Sequence, residues 1–183
     1  LPLASGERAV PFVGSRDVDA RDSAGRPVVI DLKWSRSRTR YGDLYDTGEA
    51  IQLASYAWSL EQAEQLAAPA QVGYFLLHSG EFVAADPALD PRRRAPMDTR
   101  QAWERMLRAM SAALDDIAAG TVTAGCCSIL ESIGLDVDAS YTARKKAMTS
   151  AREAARTEGG LVVENYCASG DYAQLCGLAG DRR

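Results

Sequence analysis

No run in this 183-residue chain approaches the roughly 18 consecutive apolar side chains that a bilayer-spanning helix needs, so no membrane anchor is expected. The opening residues, Leu1-Pro2-Leu3-Ala4-Ser5-Gly6, lack the basic start and apolar stretch of a secretory signal. An initiator methionine is missing as well, and the chain is expected to be a piece of a longer protein. Cysteine is scarce: there are four, and Cys126 and Cys127 are adjacent, which is not the spacing of a secreted disulfide framework. A reducing, cytoplasmic setting is the expectation. Excess positive charge is also absent. A net charge of −4 excludes a protein that coats nucleic acid through its overall field, so any phosphate binding must be local.

What is present is the composition of an ordinary globular domain, 46% hydrophobic and 25% charged, long enough to bury a core. Basic residues gather at Arg36, Arg38 and Arg40, at Arg92, Arg93 and Arg94, and at Arg144, Lys145 and Lys146. Taken singly, each group reads as a solvated loop or helix end. Residues 9–22 and 27–34 are rich in β-formers, and Ser23-Ala24-Gly25-Arg26 between them has turn composition, so the pair reads as a hairpin. Residues 35–42 are polar and basic and read as a loop. A helix is expected from about Asp46 to Leu66, then strands at 72–77 and 81–85 around the Ser79-Gly80 turn. Residues 87–96 form a connection rich in proline and arginine. An amphipathic helix follows, with Trp103, Met106, Leu107, Met110, Ala113, Leu114 and Ile117 at spacings of three and four, and Asp98 with Gln101 resembles its capping box. Residues 141–157 read as a polar helix, and 161–180 as a short cysteine-containing tail. The order hairpin, helix, hairpin, helix implies an α/β domain with a mixed sheet.

Chemistry concentrates in three short segments: Gly14-Ser15-Arg16-Asp17, Ile30-Asp31-Leu32-Lys33-Trp34 and Gln52-Leu53-Ala54-Ser55-Tyr56. On a strand, residues two apart share a face, so Asp31 and Lys33 project together while Ile30, Leu32 and Trp34 project the other way. Charge on an otherwise apolar strand is costly to bury without a partner. A divalent cation resolves that cost: the carboxylate is a hard oxygen ligand suited to Mg²⁺ or Mn²⁺, and the ammonium can orient a water or stabilise charge building on a phosphate. Asp17, on the partner strand, can supply a second carboxylate if the register allows it. A three-residue turn over Ser23 to Gly25 sets Asp17 opposite Asp31; a two-residue turn at Ala24-Gly25 sets Val18 there and sends Asp17 to the other face. Gln52 and Tyr56, four apart, lie on one face of the following helix. Arg36, Arg38 and Arg40 leave directly from the Lys33 strand and would place positive charge at the mouth of the site for DNA.

Together the three segments resemble the RecB-like branch of the PD-(D/E)XK nucleases, which includes the RecB and AddB nuclease domains and the CRISPR-associated RecB-like exonucleases. That branch carries a Gly-x-x-Asp strand, an Asp/Glu-x-Lys strand and a Gln-x-x-x-Tyr helix, matched here by Gly14 to Asp17, Asp31 to Lys33 and Gln52 to Tyr56. The resemblance implies a restriction-endonuclease-like fold, a mixed central sheet flanked by helices. Its nuclease core would occupy residues 1–120, with a helical, cysteine-containing region at 121–183 packed on it. It implies metal-assisted hydrolysis of DNA, with Asp17 and Asp31 binding Mg²⁺ or Mn²⁺, Lys33 assisting the attacking water, and Gln52 and Tyr56 completing the site. A helicase or another subunit of a DNA-repair system is the implied partner.

The pattern departs from that branch in two places. Many members carry a further His or Glu on a helix upstream of the Gly-x-x-Asp strand; Glu7 is the only acidic residue before Asp17 and reads as exposed, and His78 reads as a turn residue. Several members also hold an iron–sulfur cluster through Cys-x-x-Cys-x5-Cys. Here Cys167 and Cys176 stand in the outer positions, with Gly170 in the middle one. Two thiolates do not hold a four-thiolate cluster, so the expectation is a tail that keeps the cluster region's shape without iron. The competing expectation for function is a nuclease-like module that binds DNA or a partner protein without cutting.

Overall fold

The computed structural model describes residues 13–92, 94–121 and 139–157. The chain divides into two compact units, Leu1–Leu107 and Arg108–Arg183. The first contains a four-stranded mixed sheet in the order β1-β2-β3-β4 and its helices.

Strands β1 (Val18–Arg21) and β2 (Pro27–Lys33) pair antiparallel, with Val18 opposite Ile30 and Arg21 opposite Pro27. That register is the one made by a three-residue turn. Local chemistry selects it: the Asp22 carboxylate accepts the Ala24 and Arg26 amides at 2.9 and 2.8 Å, the Asp22 amide donates to Arg26 at 3.0 Å, and Gly25 takes φ +77°, a conformation costly to any residue with a Cβ. β1 is shorter than the expected strand; residues 13–17 lie outside it, and 9–12 lie outside the described residues.

Two helices cross over from β2 to the parallel strand β3 (Gln71–Leu76), and β4 (Glu81–Ala84) returns antiparallel. Here the structure corrects the expected loop at 35–42 and the single helix from Asp46. Helix α1 spans Arg38–Asp46, capped by Ser37, and α2 spans Ile51–Glu64. The basic 36–40 segment hides α1 because it has no apolar period; Tyr41 and Tyr45, four apart, are what the helix lays against the core. Gly48, at φ +67°, then separates the two helices.

The core lies on the α2 side of the sheet. Val29, Val72, Tyr74, Leu76 and Val83 pack there with Leu53, Ala57 and Leu60. A smaller cluster joins Ala54 to Ala102 and Trp103 of α3 (Thr99–Ala118), with Trp58 and Trp103 stacked at 4.9 Å. Asp98 caps α3 by accepting the Gln101 amide at 2.9 Å. In the second unit, α4 spans Tyr141–Thr157, and the Ser140 hydroxyl accepts the Ala143 amide at its start. Among the described residues no helix is long and apolar enough to cross a membrane.

Candidate active site

Strand alternation puts Val29, Asp31 and Lys33 on the face that α2 covers. Val29 sits in the core, Asp31 is 0% exposed one step further along, and Lys33 reaches the rim, its side chain 24% exposed. Its ammonium lies 2.6 Å from Asp31 Oδ2 and donates to Gln52 Oε1, also at 2.6 Å. Gln52 Nε2 in turn donates to the Tyr56 hydroxyl at 2.7 Å. One turn of α2 thus holds the lysine from above while Asp31 holds it from below.

Asp17 enters from the hairpin. Its Oδ2 accepts the Leu32 amide at 2.9 Å, which fixes the carboxylate beside β2 just before β1 begins to pair. Neighbouring Arg16 steadies that segment, donating to the Ser59 hydroxyl of α2 at 2.6 Å and pairing with Asp19 at 2.7 Å.

Asp31 is the electrostatic centre of the group. Burial pushes its carboxyl up to about 6 from 3.8; Lys33 pulls it back, and the adjacent Asp17 carboxyl raises it again. Apart from the Lys33 ammonium, no donor among the described residues reaches either Asp31 oxygen. A buried carboxylate left in that condition beside a second carboxylate is a cost without a cation and a ligand set with one. The residues therefore fit a hard divalent ion that takes one or two carboxylates and fills its remaining positions with water and phosphate. Among the described residues no group of three or more His, Cys, Asp or Glu side chains is placed to hold a metal.

The model of the PD-(D/E)XK nuclease superfamily matches residues 5–126, about two thirds of the chain. This chain belongs to the PD-(D/E)XK nuclease superfamily. Neither the curated proteins nor the solved structures gave a match. Superfamily membership points to nuclease activity on DNA, a chemistry for which these enzymes typically use divalent metals such as Mg²⁺.

The PD-(D/E)XK fold brings Asp17, Asp31, Lys33, Gln52 and Tyr56 together around the end of β2. It treats the three arginines differently. Arg36 is exposed and donates from Nε to His78 Nε2 at 2.7 Å. Arg40 is exposed, with its guanidinium 5.9 Å from the Tyr41 ring. Arg38 is 10% exposed and turned into an ion pair with Asp90 at 2.5 Å and Glu81 at 3.4 Å. Arg94, from the proline-rich connection, joins the same buried carboxylate at 3.1 Å and pairs with Asp46. Glu7, Arg93, Cys126, Cys127, Cys167 and Cys176 lie outside the described residues.

Sequence reasoning passed over Tyr74 and Tyr41. Tyr74 stands opposite Asp31 on β3, its ring 4.9 Å from Tyr41 of α1, and burial together with the Asp31 charge raises its phenol well above the usual range. The apolar pattern of β3 marked Tyr74 only as core, and reading 35–42 as a loop hid Tyr41. A groove of about 1050 Å³ lies elsewhere, lined in part by Val28, Ile30, Gly73 and Phe82. Val28 and Ile30 alternate with Val29 and Asp31, so this groove opens on the opposite face of β2 and holds none of the five convergent residues.

Proposed function

We propose that this chain is a Mg²⁺- or Mn²⁺-dependent deoxyribonuclease of the RecB-like branch, serving a DNA-repair or helicase–nuclease system. The observation that carries this reading is Asp31: fully buried, with the Lys33 ammonium as the one donor at its oxygens among the described residues, and with the Asp17 carboxylate beside it. The Gly-x-x-Asp, Asp-x-Lys and Gln-x-x-x-Tyr set supports the branch, and the cysteine usage supports a reducing, cytoplasmic setting.

In this reading Asp17 and Asp31 hold the divalent ion. When bound, that ion supplies charge to a phosphoryl oxygen and lowers the pKa of a coordinated water. The remaining chemistry belongs to the chain. Lys33 places its ammonium where charge develops on the phosphate oxygens and orients the attacking water, and it can do so in a fixed position because Gln52 accepts one of its protons. Tyr56 holds Gln52, so the Gln-x-x-x-Tyr pair positions the lysine. Water adds to phosphorus and gives up a proton to solvent, the P–O bond to one sugar breaks, and the departing alkoxide takes a proton from solvent. Arg36 and Arg40, exposed where the chain leaves β2, lie within reach of neighbouring phosphates; Arg38 is committed to Asp90.

The test is cleavage of linear DNA with Mg²⁺ or Mn²⁺. Asp31→Ala and Lys33→Ala should each lower the rate by about 10²–10³ or more, and Gln52→Ala by about 10–100-fold, since it acts through Lys33. Cutting that survives in both Asp31→Ala and Lys33→Ala would remove this site from the reaction. The pair of carboxylates, with no third acidic or imidazole ligand among the described residues, favours a second reading: a module that binds DNA or a partner without cutting. DNA binding with no cleavage under either metal would establish it.

A further inference from the structure

We propose that Trp34, braced by His78 and Arg36, is a stacking platform for an unpaired nucleobase of the substrate, next to the phosphate that is cut. The proposal rests on the nuclease reading above and adds to it a requirement for local single-strandedness.

Trp34 is 80% exposed, an uncommon exposure for a side chain that is highly buried on average. The two other tryptophans, Trp58 and Trp103, stack on each other and pack against the core. Trp34 instead meets the His78 ring edge-on, 5.9 Å between centroids at 82°. His78 is in turn engaged by Arg36 Nε at 2.7 Å, and among the described residues the other nitrogens of Arg36 have no partner. The indole is thus held against the His78 ring while most of its surface stays open to solvent, and it has a cation nearby. Aromatic side chains with interleaved arginine are the usual means of holding unpaired bases, since every base has a face to stack and every phosphate a charge to meet.

Position ties the platform to the chemistry. Trp34 directly follows Lys33, the last residue of β2, so their Cα atoms are about 3.8 Å apart, and the chain turns at Trp34, where the Ser35 amide donates back to the Lys33 carbonyl at 2.9 Å. A strand whose phosphate lies over Asp31 and Lys33 therefore crosses the end of β2, and the adjoining base comes down on the Trp34 side. In an intact duplex that base is stacked and paired and has no free face to offer.

The experiment uses the full chain with EDTA present, so that no divalent ion supports cleavage, and a short oligothymidylate as the probe. Oligothymidylate should quench tryptophan emission, and Trp34→Phe, which removes the responding indole, should lose the quench while keeping most of the affinity. Trp34→Ala should weaken oligothymidylate binding by roughly 5- to 150-fold and leave a blunt duplex of equal length within about threefold. Because Trp34 is exposed, its replacement should not unfold the chain, and an unchanged thermal midpoint serves as the check. Three results would each overturn the platform: no quench, unchanged oligothymidylate affinity in Trp34→Ala, or equal losses on single strand and duplex. Shielding of Trp34 that grows with protein concentration in the absence of DNA would assign the indole to a contact between copies and overturn it too. The hydrolytic reading fails separately: a wild-type chain that passes the binding comparison but cuts no DNA with Mg²⁺ or Mn²⁺ loses its nuclease assignment and keeps its platform.

Discussion

A carboxyl at about 6 in a fully buried position makes Asp31 sensitive to pH in two opposite ways. Because its folded value lies above its unfolded 3.8, the native state binds the proton more tightly. The associated stability is complete below 3.8 and is lost as pH rises through about 6. The difference between about 6 and 3.8 corresponds to something on the order of 2–3 kcal/mol. Asp31→Asn removes that penalty. In the absence of metal, the variant should gain stability relative to wild type between pH 4 and 7, read as the difference of two urea-denaturation series, and the gap should close when Mg²⁺ is added to wild type at high pH. A pH-independent difference would mean that Asp31 carries no such burden. Cleavage should run the other way, rising with pH through about 6 as the proton leaves the metal-binding oxygens.

Between residues and the molecule stand the turn and the crossover, and each makes a separate demand. Asp17 reaches Asp31 only because the hairpin turn holds three residues, Ser23 to Gly25, between the Asp22 and Arg26 positions. Deleting Ala24 should shift β1 by one residue and turn Asp17 to the other face. Cleavage should then fall to the level of Asp17→Ala while the strands still pair. Wild-type activity in the deletion would show that register is not what delivers the second carboxylate. The crossover depends on Asp90, which is fully buried between Arg38 of α1 and Arg94 and also accepts the Arg92 amide at 3.1 Å. Burial pushes Asp90 up, but the Arg92 amide and the Arg38 and Arg94 charges outweigh it and hold its carboxyl below the usual range. Asp90→Ala removes the buried carboxylate shared by two arginines that are each 10% exposed, leaving Arg38 with Glu81 and Arg94 with Asp46, and should cost about 1.5–3 kcal/mol in urea denaturation. A loss under 1 kcal/mol would mean that the arginines find water instead.

At the scale of the whole molecule the relevant quantity is charge. With a net −4, the proposed DNA contact falls to the few cations at the end of β2 rather than to a basic surface. If Lys33, Arg36 and Arg40 are the phosphate contacts, log affinity against log salt should have a slope of about −2 to −3. A slope near −6 would point to basic residues outside this site, such as those on α4.

How much of this was legible beforehand follows from the range of the forces involved. Strand alternation alone put Asp31 and Lys33 on one face, and helical spacing alone put Gln52 beside Tyr56, because both depend only on backbone geometry. The order of the three segments carried the resemblance to the superfamily, which the family match over residues 5–126 bore out. The register of Asp17 stayed open between two turns until the Asp22 side chain was seen holding the Ala24 and Arg26 amides. Helix α1 was invisible because nothing in Ser-Arg-Ser-Arg-Thr-Arg has an apolar period; contact of Tyr41 and Tyr45 with the core makes it a helix. Arg38 and Arg36 look alike in sequence, yet one is paired in the interior and the other stands at the surface. The sequence by itself determined which side chains share a strand or a helix face. Only the tertiary structure decided which were taken out of water: that removal raises the Asp31 carboxyl, whereas the Trp34 ring was left in solvent.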